Sequence, residues 1–591
     1  GEEADPCLCF AGPGCVVVSK TKTRGKRGVF VLEEADGKVR FSLPGTTARH
    51  LVGGQLWCSD GRYDLASGKK VPGPGIGNTY AGRNAVGGCV PPIVVGGRYV
   101  TGSRRGGFLK LADSPGGRPT KLSYSGARGA CIQGMIPGNG MFYTAQNNCG
   151  CFGAQPGGFL AIGPGGVEAA EADFAKKRPV EKGPAFGKAK PLAAKPDDWV
   201  QYRGNSERSG GSNAALPEKL RIVWKQKCVA PGQGQIGEAW NSRVAAPQPL
   251  TGPIVVGGTV IVCGLDTGEV IARDAASGTE KWRALLGSRI DSPPAYHRGL
   301  LLVGCRDGWV HALRAGDGAL AYRVRIAPRE SRMVVNGQVE SVWPAVGAVL
   351  VHDGVAFATA GRSTRTDGGI AIVAFKPETG ETVWARALGS KYTLLIDTLA
   401  VRENELAFHL LRLDPETGKE LPPAQVFYRK YSMISAAWSA GFSKRSGRGF
   451  QLGKACASMM AWNDSLVAWR DIAVKRAQVE CPKPNGKARA KHPDRVRRED
   501  LAWSAKLEPH SAWAKVKAMA LSSNVALYAG AVKTYGRTYA GSFLWVKSTK
   551  DGGSLQKAVK LEARPCYDSL AIAGGRAYLC LQDGTLVCFG K

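Results

Sequence analysis

Short apolar runs alternate with glycine-rich polar turns along most of this chain. In residues 255–282, for example, two apolar runs flank the turn Asp266-Thr267-Gly268. Runs of four or five β-prone residues bounded by Gly and Asp are typical of antiparallel strands joined by hairpins. Glycine at a turn tip adopts positive φ without a steric penalty. The pattern therefore predicts an all-β protein.

The pattern also repeats. Residues 295–322 align with residues 255–282 without a gap, and the matching residues lie 40 positions apart, so that Gly304 matches Gly264 and Tyr322 matches Trp282. Four short strands in about 40 residues fit one blade of a β-propeller, which buries its faces only against neighbouring blades. A solenoid is the competing architecture, and it would need a shorter repeat of roughly 20–30 residues.

The repeated hairpin, ending in a Trp, resembles the pyrroloquinoline-quinone-like (PQQ-like) propeller repeat. Degenerate copies occur at 15–41, 96–111, 354–384 and 574–589. Residues 198–210 and 332–363 resemble a branch of large secreted propellers seen chiefly in planctomycete bacteria. The resemblance implies four-stranded antiparallel blades and a secreted or periplasmic location. About eight blades fit the length, and strands from both termini would close the ring, because closure removes exposed edges. Two rings divided near residue 167 are the alternative.

The repeats divide the chain into five predicted regions. These are cysteine-rich blades over 1–166, a basic linker or strap rich in Pro, Ala and Lys over 167–198, regular blades over 199–390, degenerate blades with a long basic insertion over 391–510, and C-terminal blades over 511–591. The chain begins Gly-Glu-Glu-Ala, which suggests processing after removal of a signal peptide.

Sixteen cysteines are unusual in a reducing compartment when no metal motif accounts for them. We therefore predict disulfides, and hence an oxidising compartment. The candidates are Cys7, Cys9, Cys15, Cys58, Cys89, Cys131, Cys149, Cys151, Cys566 and Cys580. A zinc site built from Cys89, Cys131, Cys149 and Cys151 is the rival hypothesis, although the ligand spacing is not typical of zinc.

A net charge of +32 indicates attraction to acidic partners. Residues 475–498 carry nine Lys or Arg residues and few apolar ones, which predicts an exposed insertion between blades. The candidates for binding an anionic partner are Lys475, Arg476, Lys483, Lys487, Arg489, Lys491, Arg495, Arg497 and Arg498. The alternative is that these charges only keep the surface soluble. Specific nucleic-acid recognition is disfavoured, because no aromatic residues interleave with the basic runs.

The sequence contains no recognisable set of catalytic residues, which favours a protein that is not an enzyme. Quinone-dependent alcohol dehydrogenases, which share the repeat, carry an adjacent Cys-Cys pair and carboxylates that hold calcium. This sequence has no adjacent Cys-Cys pair and no assignable carboxylate cluster. His311 replaces the Ile271 of the matching copy and is interpreted as a packed histidine.

These observations predict a non-catalytic propeller scaffold of the periplasm, cell envelope or extracellular space. We expect it to bind a protein partner or further copies of itself, with an anionic glycan or lipopolysaccharide as a further candidate. We assign no catalytic, cofactor-binding or metal-binding residues and expect no cofactor. The sequence contains no run of 18 apolar residues, so it predicts no transmembrane helix. A diverged PQQ-dependent quinoprotein oxidoreductase is the alternative.

Overall fold

The structure is a computed structural model, and it describes the chain in two compact units, residues 1–166 and 167–591. In the first unit it describes residues 7–20, 28–58, 60–72, 93–95, 99–101, 107–110, 120–123, 135–144 and 160–162. In the second it describes residues 171–230, 248–335, 337–364, 366–389, 391–392, 394, 396–402, 404–408, 411–422, 460–469, 472–475, 502–504, 507–508, 514–533 and 539–591.

Antiparallel sheets of consecutive strands make up the described part of unit 1. Their strands are β1 (Cys7–Gly12), β2 (Cys15–Lys20), β3 (Gly28–Glu33) and β4 (Val39–Pro44); β5 (Ala48–Val52), β6 (Gln55–Cys58), β7 (Arg62–Asp64) and β8 (Lys70–Val71); β9 (Ile93–Val95), β10 (Tyr99–Thr101), β11 (Gly107–Lys110) and β12 (Thr120–Ser123); and β13 (Met135–Gly138), β14 (Met141–Thr144) and β15 (Leu160–Ile162). Val17, Val29, Val31 and Leu56 are fully buried in a small core between β1–β4 and β5–β8.

Unit 2 begins with a short helix and two strands that later join distant sheets. The helix α1 spans Glu171–Ala175 and buries Phe174. Strand β16 (Val180–Lys182) falls inside the predicted strap and pairs with the edge of a sheet through Val180 and Val324. Strand β17 (Arg221–Lys227) pairs with the last strand of the chain, since Arg221 lies opposite Gly590.

The following strands form sheets in sequence order, as the repeat predicts. They are β18 (Ile254–Val256), β19 (Thr259–Gly264), β20 (Glu269–Asp274) and β21 (Glu280–Leu285); β22 (Ala295–His297), β23 (Leu300–Gly304), β24 (Trp309–Arg314) and β25 (Leu320–Arg325); a hairpin of β26 (Arg332–Val335) and β27 (Gln338–Ser341); and β28 (Leu350–His352), β29 (Val355–Ala360), β30 (Ile370–Phe375) and β31 (Thr382–Leu388).

The remaining described strands repeat this order. They are β32 (Ala400–Arg402), β33 (Glu405–Phe408) and β34 (Leu411–Leu413); β35 (Met460–Trp462), β36 (Leu466–Trp469), β37 (Ile472–Lys475) and β38 (Trp503–Ser504); β39 (Ala514–Leu521), β40 (Val525–Lys533), β41 (Tyr539–Ser548) and β42 (Val559–Leu561); and β43 (Pro565–Ala573), β44 (Arg576–Leu581) and β45 (Thr585–Gly590).

The C-terminal sheet takes its fourth strand from an earlier part of unit 2. Strands β43–β45 are completed by β17, so residues from both ends of 221–591 share a sheet. Strand β1 pairs with β2 in a sheet of unit 1. The predictions of about eight blades and of a ring closed by both termini stay predictions, since part of the chain lies outside the described residues.

Aromatic residues join neighbouring sheets of unit 2 in one repeated way. Trp282 on the fourth strand of one sheet donates its indole N–H to Ala315 O, 3.0 Å away, in a turn of the next sheet. The ring lies so close to Gly318 that a methyl group there would be 2.6 Å from Trp282 Cε3. The same aromatic–glycine contact, here called the aromatic latch, recurs between Trp224 and Gly278, Tyr322 and Gly380, and Trp384 and Gly418. The packing of neighbouring sheets therefore explains both the closing aromatic residue and the turn glycine of the repeat.

Candidate functional site

The first strands of the unit 2 sheets converge on residues 198–213, here called the central segment. At one end Trp199 pairs with Val255 on β18, and Tyr296 N on β22 donates to Val200 O. At the other end Gly210 O accepts a bond from Leu521 N on β39. The contacts to the other four first strands are Gln201 with Val351, Ser206 with Val401, Ser209 with Trp462, and Tyr202 and Arg203 with Asp568. The segment thus contacts the first strand of each of seven sheets.

Two buried arginines anchor the central segment. Arg203 Nη1 lies 2.7 Å from Asp568 Oδ1, and Tyr202 donates its hydroxyl to the other oxygen of the same carboxylate at 2.5 Å. Burial would lower the pKa of Arg203, but the negative charge of Asp568 raises it above its ordinary value. Burial raises the pKa of Tyr202 well above its ordinary value, which keeps the hydroxyl protonated.

Arg208 is fully buried and is held mainly by backbone carbonyl groups. Its guanidinium donates to Val349 O at 3.0 Å, to Tyr202 O at 3.1 Å and to Leu399 O at 3.2 Å. These acceptors belong to the segment itself and to the stretches that lead into β28 and β32. A buried guanidinium in such a setting fixes the position of the backbone around it, because each N–H that lost its partner would cost free energy.

A second group of charges, buried or partly buried, lies at the ends of the sheets β18–β21, β22–β25 and β28–β31. Its members come from turns between second and third strands, from the connection between β21 and β22, and from strand β27 of the hairpin. Positive and negative charges alternate along it, and we call it the ion-pair chain: Asp266, Arg289, Asp291, Arg306, Glu340 and Arg362.

Every link of the ion-pair chain is a direct contact. Arg289 pairs with Asp266 and lies 2.8 Å from Asp291 through Nε. Arg306 lies 2.5 Å from Asp291 Oδ2 through Nε and 2.9 Å from Glu340 Oε2 through Nη1. Arg362 pairs with the other carboxylate oxygen of Glu340. The side chains of Asp291 and Glu340 are only 2% and 1% exposed, so these are buried rather than surface pairs.

The electrostatics of the ion-pair chain keep both central carboxylates ionised. Burial would raise the pKa of Asp291, but the guanidinium charges of Arg306 and Arg289 lower it below its ordinary value. Burial acts in the same way on Glu340, and the charges of Arg362 and Arg306 lower its pKa. Such buried pairs fix geometry more reliably than they add stability, because desolvation offsets most of the attraction.

These pairings decide whether the described residues fit the calcium and quinone that the resemblance implies. Calcium takes six to eight oxygen ligands, mostly carboxylates and carbonyls. The buried carboxylates of Asp291, Glu340 and Asp568 are each occupied by arginine. These three carboxylates are therefore not free to serve as ligands of a calcium ion that would hold a quinone.

The disulfide candidates fall into two groups. Cys15, Cys58, Cys566 and Cys580 are free, buried thiols in the structure, and burial raises the pKa of Cys58 to about 12. Cys7 and Cys9 lie on β1, of which only the backbone is described, and Cys89, Cys131, Cys149 and Cys151 lie outside the described residues. Ser569 Oγ lies 2.9 Å from Cys566 O and 3.0 Å from Cys580 O, so the backbones of these two cysteines lie close together. The disulfide hypothesis and its zinc rival stay predictions.

The basic candidates are hardly represented among the described residues. Lys475 is the last residue of β37. The other eight, Arg476, Lys483, Lys487, Arg489, Lys491, Arg495, Arg497 and Arg498, lie outside the described residues. Their role in binding an anionic partner stays a prediction.

The buried charges were missed by the sequence reasoning, which weighed Asp266 only as a turn residue. The aligned positions Asp266 and Arg306 carry opposite charges, but so do Asp274 and Arg314, which lie in another turn and outside the ion-pair chain. A charge reversal between copies therefore does not by itself identify the buried pairs. Nothing comparable marks Arg208, because residues 198–213 lie outside the repeat.

Comparison with known proteins supports the repeat. Residues 221–394 match a family model described as outer membrane protein assembly factor BamB. A BamB of Moranella endobia is 30% identical over 80 residues, and the match covers 14% of this chain and 21% of that protein. The chain thus spans about a fifth of the length of this curated relative.

Solved structures are similar at low identity. A quinohemoprotein alcohol dehydrogenase from Pseudomonas putida is 12% identical with a TM-score of 0.43, over 67% of this chain and 80% of that one. BamB from Moraxella catarrhalis is 14% identical with a TM-score of 0.30, over 63% of this chain and 100% of that one. Among the described residues, no helix is long and apolar enough to cross a membrane.

Proposed function

We propose that this chain, whose residues 221–394 match the BamB family model, is a scaffold of the periplasm or cell envelope. In this proposal it works by binding other proteins and carries out no reaction of its own. The BamB of Moranella endobia, which resembles part of this chain, is an outer membrane protein assembly factor, and a role of that kind fits the proposal.

The central segment is the observation that carries this proposal. Propeller blades surround a central channel, and here residues 198–213 lie against the first strands of the sheets with their own buried charges. Arg203, Arg208 and Asp568 are occupied within the protein, and so are the carboxylates of the ion-pair chain. The surfaces left for partners are the outer strands, the turns and the insertions.

The charge of the chain supports an acidic protein as the partner. A net charge of +32 creates a field that accelerates association with negative surfaces. The basic insertion at 475–498 carries nine Lys or Arg residues and two acidic residues, Glu480 and Asp494. We therefore assign the insertion to an acidic protein surface, and we treat binding to an anionic glycan as a different outcome of the test.

The test compares binding to immobilised acidic polypeptide and to immobilised heparin while the salt concentration is raised. Replacing Lys483, Lys487 and Arg489 with Gln should weaken binding to the acidic polypeptide several-fold at low salt, because each neutralised residue removes one screened attraction. The matched control replaces the exposed Lys69, Lys177 and Lys219 with Gln, which changes the net charge equally. Equal losses in both variants would show that only net charge matters, and stronger retention on heparin would indicate a glycan partner.

The non-catalytic part of the proposal has its own test. Pyrroloquinoline quinone with calcium should leave the melting temperature of the full chain unchanged, because a ligand that binds the native state raises it. A clear rise at high cofactor concentration would support the oxidoreductase alternative instead.

We also propose that the N-terminal cysteines pair as disulfides in an oxidising compartment. Intact mass of the purified protein, alkylated with and without prior reduction, should then show extra alkyl groups only after reduction. Equal alkylation of both samples under denaturing conditions would refute the pairing, and peptide mapping would show whether Cys566 and Cys580 take part.

A further inference from the structure

One turn of unit 2 brings together three side chains with metal-binding chemistry. Cys305, Asp307 and His311 each place a donor atom within 4.8 Å of the other two. His311 Nε2 lies 2.8 Å from Asp307 Oδ2, and Cys305 Sγ lies 3.5 Å from Ser288 O. The turn between β23 and β24 creates this grouping, because Cys305 follows β23, Asp307 lies in the turn and His311 lies on β24.

The matching copies show that stacking does not require these three residues. The copy at 255–282 has Leu265, Thr267 and Ile271 at the same positions. The copy that ends at Phe589 keeps only the aspartate of the three types, as Asp583, between Leu581 and Val587. The turn fold tolerates apolar residues at the first and third positions, so the shared architecture leaves a thiol and an imidazole there unexplained.

Burial and exposure at the cluster fit a bound cation with one open side. Cys305 is fully buried, the His311 side chain is 6% exposed, and the Asp307 side chain is 23% exposed and faces solvent in part. A thiolate and a carboxylate together would neutralise a divalent cation, which lowers the cost of its burial. Burial of the thiol raises the pKa of Cys305 well above its ordinary value, so metal binding would have to displace the thiol proton.

The neighbouring positive charges are already engaged elsewhere. Arg306 is bound to Asp291 and Glu340. Arg323, which lies opposite His311 on β25, pairs with Glu181 at 2.6 Å and stacks on the Trp309 ring. The positive charge of each group is thus balanced by a carboxylate other than Asp307.

We propose that Cys305, Asp307 and His311 form a zinc site with a fourth position open to water. A thiolate, an imidazole and a carboxylate are all ligands that zinc accepts in tetrahedral sites, where ligand atoms about 2.0–2.3 Å from the metal lie somewhat over 3 Å apart. His311 Nε2 and Asp307 Oδ2 would separate slightly from their present hydrogen bond to admit the ion. This assignment does not depend on the proposed scaffold function.

The experiment uses the full chain, stripped with a chelator and titrated with Co²⁺ and then with Zn²⁺. The parent should bind about one equivalent at this site and show a thiolate-to-cobalt absorption band that Zn²⁺ abolishes. Cys305→Ser should lose that band, and His311→Ile should weaken metal binding by at least about tenfold. His311→Ile restores the residue of the matching copy, so it should fold normally.

Cys263→Ser is the matched control, because Cys263 is an equally buried thiol outside the cluster. It should keep both the absorption band and the affinity of the parent, with unfolding midpoints recorded for every variant. The assignment is overturned if the parent takes up no metal. It is equally overturned if Cys305→Ser and His311→Ile, both folded, bind cobalt as the parent does, which would place the metal on other cysteines.

Discussion

The aligned copies 255–282 and 295–322 have the same strand order but different side chains at the turn between their second and third strands. Both bury their second and third strands, and both end in an aromatic residue that packs on a glycine of the next sheet. They differ at the turn between those strands, where Asp266 is matched by Arg306 and Leu265 by Cys305. Stacking therefore constrains the strands and the latch, whereas the turn at the end of the sheet is free to acquire charges that depend on its neighbours.

The largest effect should follow from removing the charge that distinguishes the second copy. Arg306→Met leaves Asp291 and Glu340 with one guanidinium partner each, in nearly complete burial. We expect the free energy of unfolding to fall by about 3 kcal/mol, since the loss of one partner from a buried pair leaves charge uncompensated. Urea unfolding of the parent and the variant measures the difference.

Arg314→Met is the control in the same copy. Arg314 pairs with Asp317 at 2.5 Å, but both side chains are substantially exposed. Water and salt screen an exposed pair, so the control should lose much less stability than Arg306→Met. Equal losses would show that the ion-pair chain behaves like ordinary surface charge.

Acid should weaken the ion-pair chain as well. The pKa values of Asp291 and Glu340 are lowered in the folded protein, from ordinary values of 3.8 and 4.5. Their contribution to stability is therefore complete above those ordinary values, and it is lost as the pH falls through the lower folded values. Unfolding free energy measured from about pH 7 to about pH 2 should decline in that acidic window, and Arg306→Met should show a shallower decline.

Disrupting the aromatic latch should have an intermediate effect on the free energy of unfolding. Gly318 has a φ of 77°, and a methyl group there would lie 2.6 Å from Trp282. Gly318→Ala should cost about 2 kcal/mol, because an L-residue is strained in this region and the indole must move. Gly316 in the same turn has open space around it, so Gly316→Ala should change stability by less than about 1 kcal/mol. Thermal unfolding of both variants shows whether stability depends on the aromatic latch or falls with any side chain added to this turn.

The sequence predicted the parts of the molecule that the repeat determines. Period, turn glycines and the closing aromatic predict antiparallel sheets and the packing of Trp282 on the next sheet, because both are local to the repeat. The central segment and the ion-pair chain could not be predicted in this way. Arg203 meets Asp568 only because seven first strands converge, and Arg306 meets Glu340 across a sheet boundary. Pairings between residues so far apart in the chain depend on how the sheets are placed, which a single sequence does not show.

The smallest expected loss of stability distinguishes the tyrosine form of the aromatic latch from the tryptophan form. Tyr322 takes the place of Trp282, is fully buried, and donates its hydroxyl to Pro377 O at 2.5 Å. Tyr322→Phe keeps the ring against Gly380 and removes only that hydrogen bond, so it should cost about 1 kcal/mol. Tyr296→Phe in the same copy removes a half-buried hydroxyl that accepts a bond from Leu192 N, and water can replace it there, so its cost should be lower. If Tyr322→Phe proves neutral in urea unfolding, ring packing alone holds the latch, and the choice between Trp and Tyr at this position is a matter of shape.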